Sequence, residues 1–260
     1  MNKSAIFGVT FLCLSALLTA ACANTPPSKD AGSTGGAGGG ASCNADPVMD
    51  DAGLTKIGTT DPARSITLDV GGFYSIPSTS YKGYCFTYAD PAGSTVYPPR
   101  GNTGPCFTVP TGLCLSAKLG AGSAATWGGG FGCSLNQAME TTTPLLTDVK
   151  DKTSLTIGVY GCKIPDELQV QLNVANPPDT SSGVPGSGYF CKRVTLSSAD
   201  SNGVRTATVK LTEMVQDCWQ STSPTLDPAT MLVKSVQAQI NAIDGQATNW
   251  DFCVSQISLQ

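Results

Sequence analysis

The sequence predicts an all-β protein, a two-sheet β-sandwich of the jelly-roll kind, stapled by disulfides and carried behind a cleaved signal and a flexible tether. Three observations predict it. Residues 167–174, ELQVQLNV, put Leu168, Val170, Leu172 and Val174 on one face and Gln169, Gln171 and Asn173 on the other. That strict alternation marks a half-buried strand. Turn chemistry recurs between segments of this type, at Asp90-Pro91-Ala92-Gly93, Pro98-Pro99-Arg100-Gly101-Asn102, Asn176-Pro177-Pro178-Asp179 and Ser201-Asn202-Gly203. Finally, 11 cysteines and no histidine occur in a chain that opens with an export signal, and oxidation of thiols is the rule outside the cytosol.

The export signal occupies 1–21. Lys3 supplies the charged start, an apolar run follows from Ile6 to Leu18, and small residues close it. Thr19-Ala20-Ala21-Cys22 resembles the lipobox of bacterial lipoproteins, with Cys22 as the lipidated residue, although Thr19 stands where Leu is usual. Ordinary secretion, with Ala21-Cys22-Ala23 as a small-x-small cleavage site, is the alternative. Residues 22–42 then run through Gly, Ser, Pro and Ala with no larger aliphatic, so they bury too little to offset their ordering entropy. A flexible 20-residue tether has a mean reach of about 25 Å. The expectation is an exported protein, lipid-anchored at a bacterial outer membrane or cell surface, or secreted. Its globular part, 43–260, has the length of one all-β domain.

Charge narrows the partners. The chain holds 15 Lys+Arg against 19 Asp+Glu, net −4, without a basic run, so nucleic acid is excluded and a membrane is met only through the lipid anchor. Further strands are read at 65–70, 83–88, 154–161, 189–196, 205–211, 234–240 and 250–259, and one short helix at Asp227-Pro228-Ala229-Thr230. The glycine-rich stretch WGGGFGCSLNQ, 127–137, lacks the third glycine of a dinucleotide loop and the lysine of a Walker loop. It reads as a glycine-led strand with Trp127 in the core.

Nine cysteines follow the tether. With no CxxC and no His, metal sites are not expected, and no cofactor is. Cys162 and Cys191 flank the loop 175–188 and are paired; Cys106 and Cys114 bracket FTVPTGL and form a second pair. Cys85 is paired with Cys133 and Cys218 with Cys253, which leaves Cys43 over.

Several segments taken in order carry a resemblance: GYCFTYADPAG (83–93), ATWGGGFGCSLNQ (125–137), the Cys–loop–Cys unit 162–191, TEMVQDCWQ (212–220), LDPATMLVKSVQAQI (226–240) and WDFCVSQISL (250–259). Their order resembles secreted bacterial jelly rolls of the galactose-binding-like class, and is similar to carbohydrate-binding module family 11. The resemblance implies a sugar-binding sandwich. It also implies a closing strand of the form aromatic-Asp-x-x-x-Asp-Asp that supports calcium or the cleft. Here Asp251 matches the first acid, but Ser255 and Gln256 stand at the later positions, so calcium is not expected.

Chemistry is limited by what is missing. Without histidine, triad hydrolysis has no general base. Glu140, Glu167, Glu213 and Asp251 are the candidate carboxyls for a glycosidase, but no spacing pairs them, and a non-enzyme is expected. Sugar recognition needs aromatic faces bordered by neutral polar groups. Trp219, Tyr160 and Tyr189 are the candidate rings, and Gln169, Gln171 and Asn173 the candidate polar face. A core role for Trp219 and an ordinary wet surface for the amides are the alternatives. The expected function is non-catalytic binding of a neutral polysaccharide or surface glycan; a structural or adhesion domain is the alternative.

Overall fold

The computed structural model describes residues 66–69, 72–75, 81–97, 100–101, 104–105, 111–123, 126–139, 141, 143–175, 188–218 and 223–260. The signal, the tether, Cys22, Cys43, Cys106, Glu140 and Trp219 lie outside them.

Strands dominate throughout. In chain order they are β1 (Thr67–Leu68), β2 (Phe73–Ser75), β3 (Lys82–Ala89), β4 (Thr95–Tyr97), β5 (Arg100–Gly101), β6 (Gly104–Pro105), β7 (Thr111–Gly112), β8 (Cys114–Leu119) and β9 (Gly128–Ser134). There follow β10 (Thr147–Asp148), β11 (Ser154–Lys163), β12 (Glu167–Val174), β13 (Tyr189–Thr195), β14 (Arg205–Lys210), β15 (Val215–Gln216), β16 (Leu232–Asn241) and β17 (Thr248–Leu259). A 3-10 turn over Leu211–Glu213 links β14 to β15. The helix expected at Asp227 is a single turn. The Asp227 carboxylate accepts from the Ala229 amide (3.1 Å) and the Thr230 hydroxyl (3.0 Å), and the chain then enters β16.

Two antiparallel sheets form the sandwich. An eight-stranded sheet runs β15-β13-β12-β16-β9-β3-β2, with β10 paired to the start of β16; a five-stranded sheet runs β14-β11-β17-β8-β4. The chain changes sheet repeatedly, for example from β3 to β4, β8 to β9 and β11 to β12, as a jelly roll does. One core joins the two inner faces. Phe131, Leu168, Val170, Leu172, Val236 and Ala238 meet Leu115, Leu155, Ile157, Val159, Phe252 and Val254, all buried. Alternation predicted this for β12, where Leu168, Val170, Leu172 and Val174 all point inward. The strand read at 65–70 is realised in the described residues only as the two-residue β1.

Disulfide pairing departs from the sequence expectation at three of four places. Cys85 and Cys133, paired from sequence, are joined; they face each other in the β3–β9 register with Cα atoms 4.0 Å apart. Cys114 bonds Cys253, not Cys106, because β8 and β17 set them directly opposite at 3.9 Å. Cys191 bonds Cys218, not Cys162. Cys191 lies in the eight-stranded sheet beside β15, whereas Cys162 is the next-to-last residue of β11, before its final Lys163, in the other sheet. Cys162 is itself disulfide-bonded. Sheet register, which brings distant strands side by side, overrides the nearness along the chain that suggested the other pairs.

Candidate functional site

The outward face of the eight-stranded sheet collects the polar and aromatic residues that face away from the core. Register arranges them in rows across the strands. One row reads Cys191, Gln171, Gln237, Gly132, Phe86, and the next Arg193, Gln169, Gln239, Gly130, Tyr88. Tyr189, Asn173, Ser235 and Ser134 flank the first row, and Asn241 lies beyond the second, opposite Gly128. Amide side chains thus occupy one half of the face and rings the other, with bare glycine between.

The glycines are required by close approach. A Cβ on Gly132 would come within 2.5 Å of Cζ of Phe86, whose ring lies down across the strand. At Gly130 a Cβ would collide with the Ala238 carbonyl. The stretch expected to lead into a strand is therefore the strand itself, and its missing side chains let neighbouring rings settle onto the backbone.

Rings continue along the edge of this floor. Phe86 and Tyr88 have centroids 6.3 Å apart, and Tyr88 and Trp127 are 5.9 Å apart with planes tilted by 35°. Further along, Phe73 and Tyr84 meet edge to face at 5.2 Å. Trp127, expected in the core, is 41% exposed. It precedes β9 and sits at the rim. Its place is held by Asp90, whose carboxylate accepts from the backbone amides of Gly128 (2.8 Å), Ala92 (2.9 Å) and Ser94 (3.4 Å). Burial opposes ionisation of Asp90. Hydrogen bonds from the Ser94 hydroxyl and from those three amides outweigh it, and hold the carboxyl below its ordinary range.

The amides form a directed relay. Gln171 Nε2 donates to Gln239 Oε1 (3.1 Å), and Gln239 Nε2 donates to the Trp127 carbonyl (3.2 Å) and to Asn241 Oδ1 (2.8 Å). Gln169 and Gln171 are each 5% exposed and Gln237 7%, so neighbouring groups cover them where an ordinary wet surface would leave them open. Burial, with the neighbouring Tyr189, raises the Tyr88 phenol well above its ordinary value and keeps it protonated.

The candidates named from sequence divide accordingly. Gln169, Gln171, Asn173 and Tyr189 share this face. Tyr160 does not. It lies on β11 in the five-stranded sheet, opposite Cys253, and packs on the Cys114–Cys253 disulfide. A register shift between Gly158 and Val159 accompanies that placement. Trp219 falls outside the described residues. Phe86, Trp127, Gln239 and Asn241 are not singled out as ligand-binding by the sequence. The signal for the amides was present in KSVQAQI, where Gln237 and Gln239 alternate with apolar residues as in ELQVQLNV.

The carboxyl candidates among the described residues, Glu167, Glu213 and Asp251, each have partners of their own, and Glu140 lies outside the described residues. Asp251 is buried on the outward side of the five-stranded sheet and accepts from the Ser116 hydroxyl at 3.2 Å. Burial raises its pKa, against the Ser116 hydrogen bond and the charge of Lys163. Glu213 pairs with Lys192 at 2.6 Å, and Glu167 with Arg193 at 4.0 Å. Among the described residues no group of three or more His, Cys, Asp or Glu is placed to hold a metal.

Among solved structures the chain is similar to family 11 carbohydrate-binding modules, the family whose segment order it resembles. One is the module of the cellulosomal cellulase Lic26A-Cel5E of Clostridium thermocellum, at 15% identity over 67% of this chain and 86% of that one, with a TM-score of 0.37. Another is a Clostridium thermocellum family 11 module in complex with a β-1,3-1,4-mixed-linked tetrasaccharide, at 13% identity over 74% and 94%, with a TM-score of 0.39. No protein-family model and no curated protein matches the chain. A likeness at these TM-scores assigns no role to any residue, and the site stands on its own geometry.

Proposed function

We propose that the outward face of the eight-stranded sheet binds neutral glycans noncovalently and without cleaving them. The chain would be displayed at a bacterial surface through lipidation of Cys22. The observation that carries the proposal is the row Phe86–Tyr88–Trp127 running beside the amide relay Gln171–Gln239–Asn241 across a glycine floor. Pyranose rings stack on aromatic faces, while amides both donate to and accept from hydroxyls. Two carboxylates stand at the margin of this face: Glu167, exposed and paired with Arg193, and Asp90, taken up by the backbone amides of Gly128, Ala92 and Ser94. Uncharged ligands suit such a lining better than polyanions.

The test is a glycan-array screen of the full chain and its Trp127→Ala variant. Because Trp127 is 41% exposed, the substitution should abolish binding and leave the melting temperature nearly unchanged. Retained binding in the variant, or a clean negative for the wild-type chain across plant, fungal and bacterial polysaccharides, counts against the proposal.

A further inference from the structure

Trp127 breaks the alternation of the strand it leads into. In β9 the odd-numbered Phe131 and Cys133 are buried in the core, while Gly128 and Gly130 lie on the outer side, opposite Asn241 and Gln239. Pairing with β16 continues one residue ahead of β9, where the Ala242 amide donates to the Trp127 carbonyl (3.3 Å). Successive side chains of a strand point to opposite faces, so residue 127 is due on the core side. That side is already filled. A Cβ on Gly129, the next core-facing position, would come within 2.7 Å of Cγ2 of the buried Val96 in β4. The Trp127 indole is instead exposed, with its ring 5.9 Å from that of Tyr88, which lies opposite Gly130 on the outer face.

Gly128 stands between the two faces, and its backbone makes the change. Its φ is +118°, against about −140° for an ordinary residue of an antiparallel strand. The chain ahead of it is therefore swung by roughly 100°, which carries residue 127 from the core side to the rim. Only glycine fits. An L side chain avoids this φ, and a Cβ here would collide with the Ile240 carbonyl oxygen and lie 3.0 Å from the Ala242 nitrogen. Asp90 fastens the swung peptide: its carboxylate accepts from the Gly128 amide (2.8 Å), and its own amide donates to the Gly128 carbonyl (2.8 Å). Gly130 gives the contrast. A Cβ there would collide with the Ala238 carbonyl in the same way, but its φ is not positive. We infer that Gly128 is a positioning residue for the ligand: its positive φ delivers the Trp127 indole to the outer face, and any side chain at 128 turns the ring against Val96. The inference rests on the glycan-binding reading above and names the residue that makes Trp127 available to it.

Thermal melts of the full chain test this through a double-mutant cycle. Gly128→Ala, Trp127→Ala and the double variant are compared with wild type, and Gly130→Ala combined with Trp127→Ala is the control for collision alone. Gly128→Ala should lower the melting temperature more in the wild-type chain than in the Trp127→Ala chain, because removing the indole removes what is turned inward. Gly130→Ala should cost the same in both. On the glycan array, Gly128→Ala should lose binding as Trp127→Ala does. Should Gly128→Ala fail to fold, the double variant decides. Folding there supports the inference; failure there too overturns it, since the glycine then serves the strand and not the ring. Equal costs of Gly128→Ala in the two chains, or array binding by Gly128→Ala at wild-type strength, also overturn it. A cycle that couples Trp127 to Gly128, with no array signal from the wild-type chain, removes the glycan-binding reading and leaves the hold of Gly128 on the ring standing.

Discussion

Two aspartates respond to acid in opposite directions, and each tests a different part of the molecule. Asp90 is held below its ordinary pKa by the hydrogen bonds that fasten the end of β3 to the start of β9. Its folded pKa lies below its unfolded one, so it contributes stability that is present above an unfolded value of about 3.9 and is lost as pH falls through the depressed folded value. Asp90→Asn should therefore lower the melting temperature at neutral pH, and the deficit against wild type should shrink as acid protonates Asp90. Because Gly128 follows Trp127, the same variant should weaken glycan binding. Asp251 behaves oppositely. Burial raises its folded pKa above the unfolded one, so the ionised side chain costs stability above the folded pKa, and that cost vanishes below the unfolded pKa. Asp251→Asn should match or exceed wild type in melting temperature at pH 7 and lose that advantage on acidification. Paired thermal melts between pH 3 and pH 7 give both comparisons.

At the scale of elements, β12 is the strand that the sequence describes most completely. Its alternation places Leu172 at 0% exposure between the sheets. Leu172→Ala should cost ~2–5 kcal/mol by lost transfer energy and the cavity left behind, measured by denaturant unfolding. The same alternation put Gln169, Gln171 and Asn173 on the outer face and, in 234–240, made Gln237 and Gln239 available to it. What the pattern does not encode is which strands become neighbours. Register between β3 and β9, distant in sequence, is what lays Phe86 over Gly132 and brings Tyr88 to Trp127. Nothing local to Trp127 distinguishes a core indole from a rim indole, since glycines beside a ring are consistent with either. The bulge before Val159, beyond which Tyr160 faces the disulfide, was equally hidden, because a bulge is a property of the strand pair. Gly132→Val offers a check on the floor. Displacing the Phe86 ring should weaken glycan binding more than it lowers the melting temperature.

For the whole molecule, peptide mapping without reduction should recover Cys85–Cys133 and Cys114–Cys253, each joining paired strands, and Cys191–Cys218, which ties β13 to the turn after β15. A linkage of Cys162 to Cys191 or of Cys106 to Cys114 would contradict this arrangement. Lipidation at Cys22 is open to a separate measurement: in its host the protein should partition into detergent, and Cys22→Ser should release it. The placement of the disulfides also has a mechanical consequence. A domain held by its N-terminal side and loaded through its sheet face is under tension whenever its surroundings shear. A pull entering from that side can travel no further along the chain than Cys85, bonded covalently to Cys133 in β9. Past that stop, Cys114 in β8 is fastened to Cys253 in the closing strand. The slack that force can draw from the chain ahead of the ligand face therefore ends before the strands that carry Phe86, Gly132 and the amide relay begin to separate.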